Sequence, residues 1–351
     1  MGKTIMLKHE GELRIEALCR AMRASRHILH YSLLKMLMPF LLILVGTAYT
    51  QDSLLVIHPE GLNCREVVEG LRRGLEGEYP LSFLIATDST DRLDVAAAIK
   101  RSNSRLVVCI GNEATALLGD YQDIIGPDKP IVPSVHLMGA FIWSQVKDMR
   151  NASAIHYEVP FAKVAGLFTR TVGMKVKNLG VLYRPIAGYF VEECAKKAKE
   201  VGINIIDIPL PEAPEKALLA LDMELKAKLM VDRVDALWIP NDFVIVNKRS
   251  LDDVWKSNLR RNRVPVFVGV ETLLQPNLKF GTFAALPIQS KLGEQAAGII
   301  FEIVKNNWRV PDGSRIVFPA DIETVINVPQ ALKKFKITEN ALTEVDRWIM
   351  D

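Results

Sequence analysis

An α/β chain with two doubly wound parallel-sheet lobes is the fold class this sequence predicts, on three observations. Short aliphatic runs alternate with longer amphipathic stretches. That rhythm breaks and restarts after residue 177. The length of 351 residues is generous for one domain and comfortable for two. A composition 49% hydrophobic and 24% charged is that of a globular chain with real cores.

In the first half, Leu54–Ile57 reads as a strand closed by His58-Pro59-Glu60-Gly61. Val67, Val68, Leu71 and Leu75 then recur at helical spacing. Leu81–Ala86 is a second strand, followed by a helix marked by Val95, Ala98 and Ile99. Leu106–Ile110 is a third, closed by Gly111 and followed by helix-like Glu113–Leu118, and Ile131–Val135 is a fourth. In the second half, Leu179–Tyr183, Ile203–Ile208, Ala236–Ile239, Val264–Val268 and Lys279–Ala284 are strand-like. Helices are expected over Tyr189–Val201 and from Pro214 to about Met230. Strands of this length between helices of ten or more residues imply parallel sheets covered on both faces. Ligands of such sheets sit outside the carboxyl ends of the strands, so post-strand residues become site candidates by position.

The formal charge of +3 is concentrated at one end. Residues 1–50 hold seven of the 44 basic and three of the 41 acidic side chains, leaving 37 basic against 38 acidic. The body therefore has no basic surplus for nucleic acid. The N-terminus reads as an export signal: a basic stretch from Arg20 to Lys35, the apolar run Met36–Val45, then the small residues of Gly46–Thr50. That run is short of the roughly 20 residues a spanning helix needs, and an uncleaved anchor is the other reading. A periplasmic location follows from export.

Beyond the signal, Cys64, Cys109 and Cys194 form neither a disulfide framework nor a metal-ligand spacing. No Gly-rich phosphate motif, nucleophile elbow or zinc motif occurs, which argues against a nucleotide-sugar enzyme or hydrolase. No catalytic residue, cofactor or metal is expected.

Segments of the second half carry a resemblance. They are Glu158-Val159-Pro160 with Phe161–Met174, Lys177–Pro185, Val234–Asp242, Arg263–Val268, Leu292–Ala297 and Glu323–Leu332. In order and spacing they resemble the ABC transporter substrate-binding family of tryptophan- and tyrosine-type uptake systems, a branch of the type I periplasmic binding proteins. In the first half His58-Pro59 and Cys109–Leu118 fit the same layout, whereas Val132–Gly139 and Phe283–Ile288 depart from it. These departures bear on the ligand and leave the fold intact.

The resemblance implies two lobes joined by a three-segment hinge, with crossings near 176, 282 and 311. The N-terminal lobe would be 52–175 plus 283–310, the other 177–281 plus 312–327, with 328–351 as a C-terminal tail helix. Between the lobes a small molecule would be held, an amino acid or related carboxylate. The partner would be a membrane permease with its ATPase, or alternatively a membrane sensor such as a histidine kinase or chemoreceptor.

Asn112, Glu113 and Thr115 open a helix after the third strand, where free N–H groups could take a carboxylate; simple capping by Asn112 is the other reading. Asn241, Asp242 and Phe243 occupy the corresponding place in the second lobe. There Asp242 could meet a ligand ammonium, and its replacement by Ala is expected to lower affinity without changing the unliganded melting point. Glu271 is a further acceptor, Tyr183 an apolar wall, and His58 and Glu60 rim the first lobe.

Overall fold

Leu54, Val56, Leu106 and Val108 are fully buried, and so are Leu55 and Val107 on the opposite face. Strands apolar on both faces are stable only inside a sheet covered from both sides. The computed structural model describes residues 51–61, 64–231, 234–261, 263–312, 315–335 and 337–350; the expected export signal, residues 1–50, lies outside them. Two sheets form within the compact unit Asp52–Asp351.

The first sheet contains β1 (Ser53–Pro59), β2 (Leu81–Ala86), β3 (Ser104–Ile110), β4 (Ser134–Leu137), β5 (Ala152–Ile155) and β11 (Ile316–Val317). The second contains β6 (Asn178–Tyr183), β7 (Asn204–Pro209), β8 (Ala236–Ile239), β9 (Val266–Val268), β10 (Phe283–Pro287), β12 (Ile322–Asn327) and β13 (Arg347–Ile349). Their orders are β11-β5-β4-β3-β1-β2 and β13-β12-β10-β9-β8-β6-β7. Pairing is parallel except between β10 and β12. Strand order thus reverses between β1 and β3 in one sheet and between β6 and β8 in the other, the switch points at which doubly wound folds bind ligands.

Covering helices of the first sheet are α1 (Arg65–Gly74), α2 (Arg92–Ser102) and α3 (Asn112–Ile125), with the short α4 (Ile142–Val146) after β4. An Asp91–Asp94 capping box starts α2. The helices α5 (Phe161–Val172), α6 (Gly188–Glu200) and α7 (Pro214–Val231) cover the second sheet. Downstream, α8 (Gln289–Lys305) returns to pack on α1 over the first sheet, and α9 (Val328–Phe335) follows β12. Gly70 and Gly293 allow the α1–α8 approach. A Cβ at Gly293 would lie 2.1 Å from the Val67 carbonyl oxygen, and one at Gly70 would lie 1.8 Å from that of Ser290.

The three crossings differ from those expected at 176, 282 and 311. The chain leaves the first sheet after β5 and enters the second core at Val159, so residues 159–175 belong with the second sheet. Phe168 holds α5 there, its ring 4.9 Å from that of Phe267 and 5.3 Å from that of Phe283. The second passage lies between β10 and α8, since β10 pairs with β9 and β12 in the second sheet. The third lies between β11 and β12. His156 joins the outer two: its N–H donates to the Val317 carbonyl at 2.9 Å, and its ring stacks on Phe318 at 4.8 Å.

The tail is not the single helix expected over 328–351. Glu339–Leu342 is one helical turn, and Arg347–Ile349 then pairs with Val325–Asn327. Asp346 pins this strand, its Oδ2 accepting from both the N–H and the hydroxyl of Thr324 at 2.7 Å. The fourth strand starts at Ser134, not Ile131, because Pro133 has no N–H to give the ladder; its carbonyl accepts from Val107 instead.

Candidate functional site

Segments leaving the carboxyl ends of the two sheets touch each other. Phe141, just after β4, is 4% exposed and sits in the second sheet's core cluster with Val159 and Phe161. Two residues on, Trp143 stacks on Tyr189 of α6, with ring centroids 4.0 Å apart and planes 13° from parallel. The segment after β4 and the helix after β6 thus meet at the carboxyl ends of the two sheets.

On the first lobe's side, Gly111 (φ 91) is the N-cap of α3 and contributes no side-chain hydrogen bond. Asn112 is the first helical residue, not the cap, so the anion-site reading of this terminus loses its simplest competitor. Its Oδ1 is buried without a hydrogen-bond partner, and a Cβ at Gly139 would come within 2.8 Å of it. Glu60 and Glu113 line a cavity of about 700 Å³ with Asp88 and Asp120. Glu113, in the first turn of α3, partly offsets the positive end of that helix.

Thr115 departs from its expected role as a ligand contact. It is 1% exposed, donates to the Gly111 carbonyl at 3.0 Å, and lies 3.1 Å from His136 Nδ1. His136 Nε2 reaches Ser134 Oγ at 2.9 Å. Burial pushes the His136 pKa down to about 3, so this chain of polar groups is a neutral brace within the sheet. His58 is half-buried, with Nδ1 3.2 Å from its neighbour's carbonyl and its ring edge-on to Phe83.

On the second lobe's side, Asp242 is already satisfied by the protein. Arg184 donates to it from Nε at 2.7 Å and from Nη2 at 3.0 Å, and the Val244 N–H donates to Oδ1 at 2.9 Å. The expectation that Asp242 stands free for an ammonium is thereby corrected: strand ends β6 and β8 are adjacent, which brings Arg184 onto it. Arg184 went unremarked in the sequence, although its place directly after β6 would have marked it. Tyr183 hydrogen-bonds Asp207, and burial first and that carboxylate second push its pKa up to about 12. Asn241 is half-buried, and Phe243 is 79% exposed, a bare aromatic surface beside the ion pair. Glu271 pairs with Arg347, which also holds Glu323 at 2.9 Å, so its carboxylate is engaged as well.

Beneath these residues Glu158 is 3% exposed, and its Oε1 accepts from the Phe141 N–H at 2.8 Å. Its Oε2 lies 3.9 Å from His156 Nδ1, and neither atom has a hydrogen-bond partner. Burial raises the Glu158 pKa to about 7 and, with a lesser contribution from Lys197, lowers that of His156 to about 4. Both are neutral between those values. Among the described residues, no His/Cys/Asp/Glu group is arranged to hold a metal, and no helix is long and apolar enough to cross a membrane.

Residues 64–346 match the model of the ABC transporter substrate binding protein family. Among solved structures, an ABC domain in complex with L-Trp from Streptococcus pneumonia is similar at 19% identity and a TM-score of 0.51. The match covers 85% of this chain and 100% of that one. A substrate binding protein with adhesive properties from Clostridium difficile, in its ligand-free, open structure, is similar at 14% identity, the same coverage and a TM-score of 0.57. Both likenesses are of fold. No curated protein sequence matches.

Proposed function

Because the chain belongs to the ABC transporter substrate-binding protein family, we propose that it captures a small molecule between its lobes and presents it to a membrane permease with its ATPase. The observation that supports this reading is the Trp143–Tyr189 stack, where segments leaving the carboxyl ends of both sheets meet. The ligand is an amino acid or a related small carboxylate. Its carboxylate would meet the uncapped N–H groups of α3, its ammonium the neighbouring Glu60 and Glu113, and its side chain Phe243. Residues 1–50 would export the chain to the periplasm.

Opening and closing would turn about the three crossings, with ligand favouring closure because both lobes contact it. Exchange of this kind needs no reaction at the site. A thermal-shift screen of residues 51–351 against amino acids and small organic acids tests the proposal. A ligand at about 100 times its dissociation constant adds roughly 2.7 kcal/mol and raises the melting temperature by several degrees. A shift confined to one chemical class supports the reading; a flat response across both classes overturns it.

A further inference from the structure

The second sheet carries another concavity at the end opposite its ligand-facing edge. Arg263 lies just before β9, Lys279 lies before β10, and Gln330 and Lys333 lie on α9 after the antiparallel β12. All four positions are at the amino ends of the parallel strands, remote from the switch points. Together with Lys256 and Arg260 on the helical segment Lys256–Arg261, they line a cavity of about 540 Å³.

Charge distinguishes this cavity. Five of its lining residues are cationic and none is acidic. Lys256 is neutralised by Asp252 at 2.5 Å. Arg260, Arg263, Lys279 and Lys333 have no carboxylate within ion-pair distance among the described residues. All four are exposed to water, and an anion in the hollow would meet their summed positive potential. A second, independent sign is Gln330. It is 9% exposed, and its Nε2 is a buried donor without a hydrogen-bond partner. A buried donor of this kind ordinarily marks a missing acceptor. The rim is stiff on two sides, where Pro276 and Pro329 line it.

We propose that this cavity binds a phosphate-bearing polyanion, held by the guanidinium groups of Arg260 and Arg263 and the ammonium groups of Lys279 and Lys333. Arginine forks match phosphate oxygens in pairs, and lysines supply point charge around them. Because the site is at the far end of the sheet, its occupant does not compete with a solute between the lobes. The phosphate could belong to a soluble anion or to a lipid headgroup, and the chemistry recognised is the same.

Titration calorimetry of the full-length chain with sodium pyrophosphate, alongside sedimentation with phosphatidylglycerol vesicles, separates the two sources. Saturable binding of one pyrophosphate per chain supports a soluble occupant; vesicle binding without pyrophosphate binding supports a headgroup. The double variant Arg263→Glu/Lys279→Glu is expected to weaken whichever is observed by at least about tenfold. Lys100→Glu/Lys196→Glu, with the same change in net charge on exposed positions elsewhere, is expected to leave it unchanged. Absence of both kinds of binding, unaltered binding in the first variant, or an equal loss in the second overturns the proposal. Neither ligand probes the interlobe space, so a failure here leaves the solute-binding reading standing.

Discussion

Trp143 and Tyr189 lie face to face across the gap between the lobes, 4.0 Å apart, one carried by α4 and the other by α6. An aromatic stack of this kind is worth about 0.5–1.5 kcal/mol beyond its buried area. Removing it with Trp143→Ala should raise the open population severalfold. Small-angle scattering of the unliganded protein should then show a larger radius of gyration. An unchanged profile would mean that the pair does not hold the lobes together.

The Arg184–Asp242 pair makes a different forecast from the one the sequence suggests. Asp242→Ala removes two charge-assisted hydrogen bonds from Arg184, which keeps Glu212, so stability should fall by about 1.5–3 kcal/mol. Arg184→Met/Asp242→Leu, which removes both charges, should cost less than the single change. Urea unfolding of the three proteins checks both statements; additive losses would show that the pair is not coupled.

Two buried histidines and Glu158 give the protein a calculable response to pH. His136 and His156 have pKa values lowered to about 3 and about 4 from 6.5, so the unfolded chain binds more protons, and stability rises with pH up to 6.5. Glu158 is raised to about 7 from 4.5, so the folded chain binds the extra proton, and its contribution falls as pH rises between those values. Between 4.5 and 6.5 one histidine's rise cancels the Glu158 fall, leaving a net gain. Glu158→Gln should steepen that gain by about 1.4 kcal/mol per pH unit. Melting curves at pH 5 and pH 6 for both proteins read the difference; parallel curves would contradict the assigned direction for Glu158.

Helix α8 meets α1 where glycine replaces a side chain on each. Gly293→Ala places a methyl group against the Val67 carbonyl, which forces the helices apart and should cost about 1–3 kcal/mol. Gly298→Ala, on the same helix with open space around it, should be neutral or slightly stabilising. Calorimetric melting temperatures of the two variants decide whether the close approach is the cause.

Strands rich in aliphatic residues were legible from their apolar runs, whether buried on both faces like β8 or partly exposed like the edge strand β2. Leu81–Ala86 and Ala236–Ile239 occur as read, and neighbouring elements differ by a few residues at their ends. Ala152–Ile155 was invisible: Ala-Ser-Ala-Ile has too little apolar side chain to mark a strand, yet all four residues are buried between β4 and β11. Of the candidate site, Glu60, Glu113, Asn241 and Phe243 stand at the strand ends as their positions implied, with exposed or partly exposed side chains. Thr115 and Asp242 do not face outward, because their partners come from elsewhere in the chain, His136 from β4 and Arg184 from the turn after β6.

The sequence by itself determined two doubly wound α/β halves and the strand ends where a ligand would be met, since the periodicity of burial is written locally along each element. Only the tertiary structure decided where the chain passes between the sheets, how the C-terminal segment closes the second sheet, and which polar groups are already satisfied. Each of these depends on contacts between residues far apart in the chain. Phe168 packs on Phe283, Asp346 binds Thr324, and Arg184 binds Asp242. No local pattern of spacing encodes such a pairing, because its energy exists only once the partner has been brought alongside.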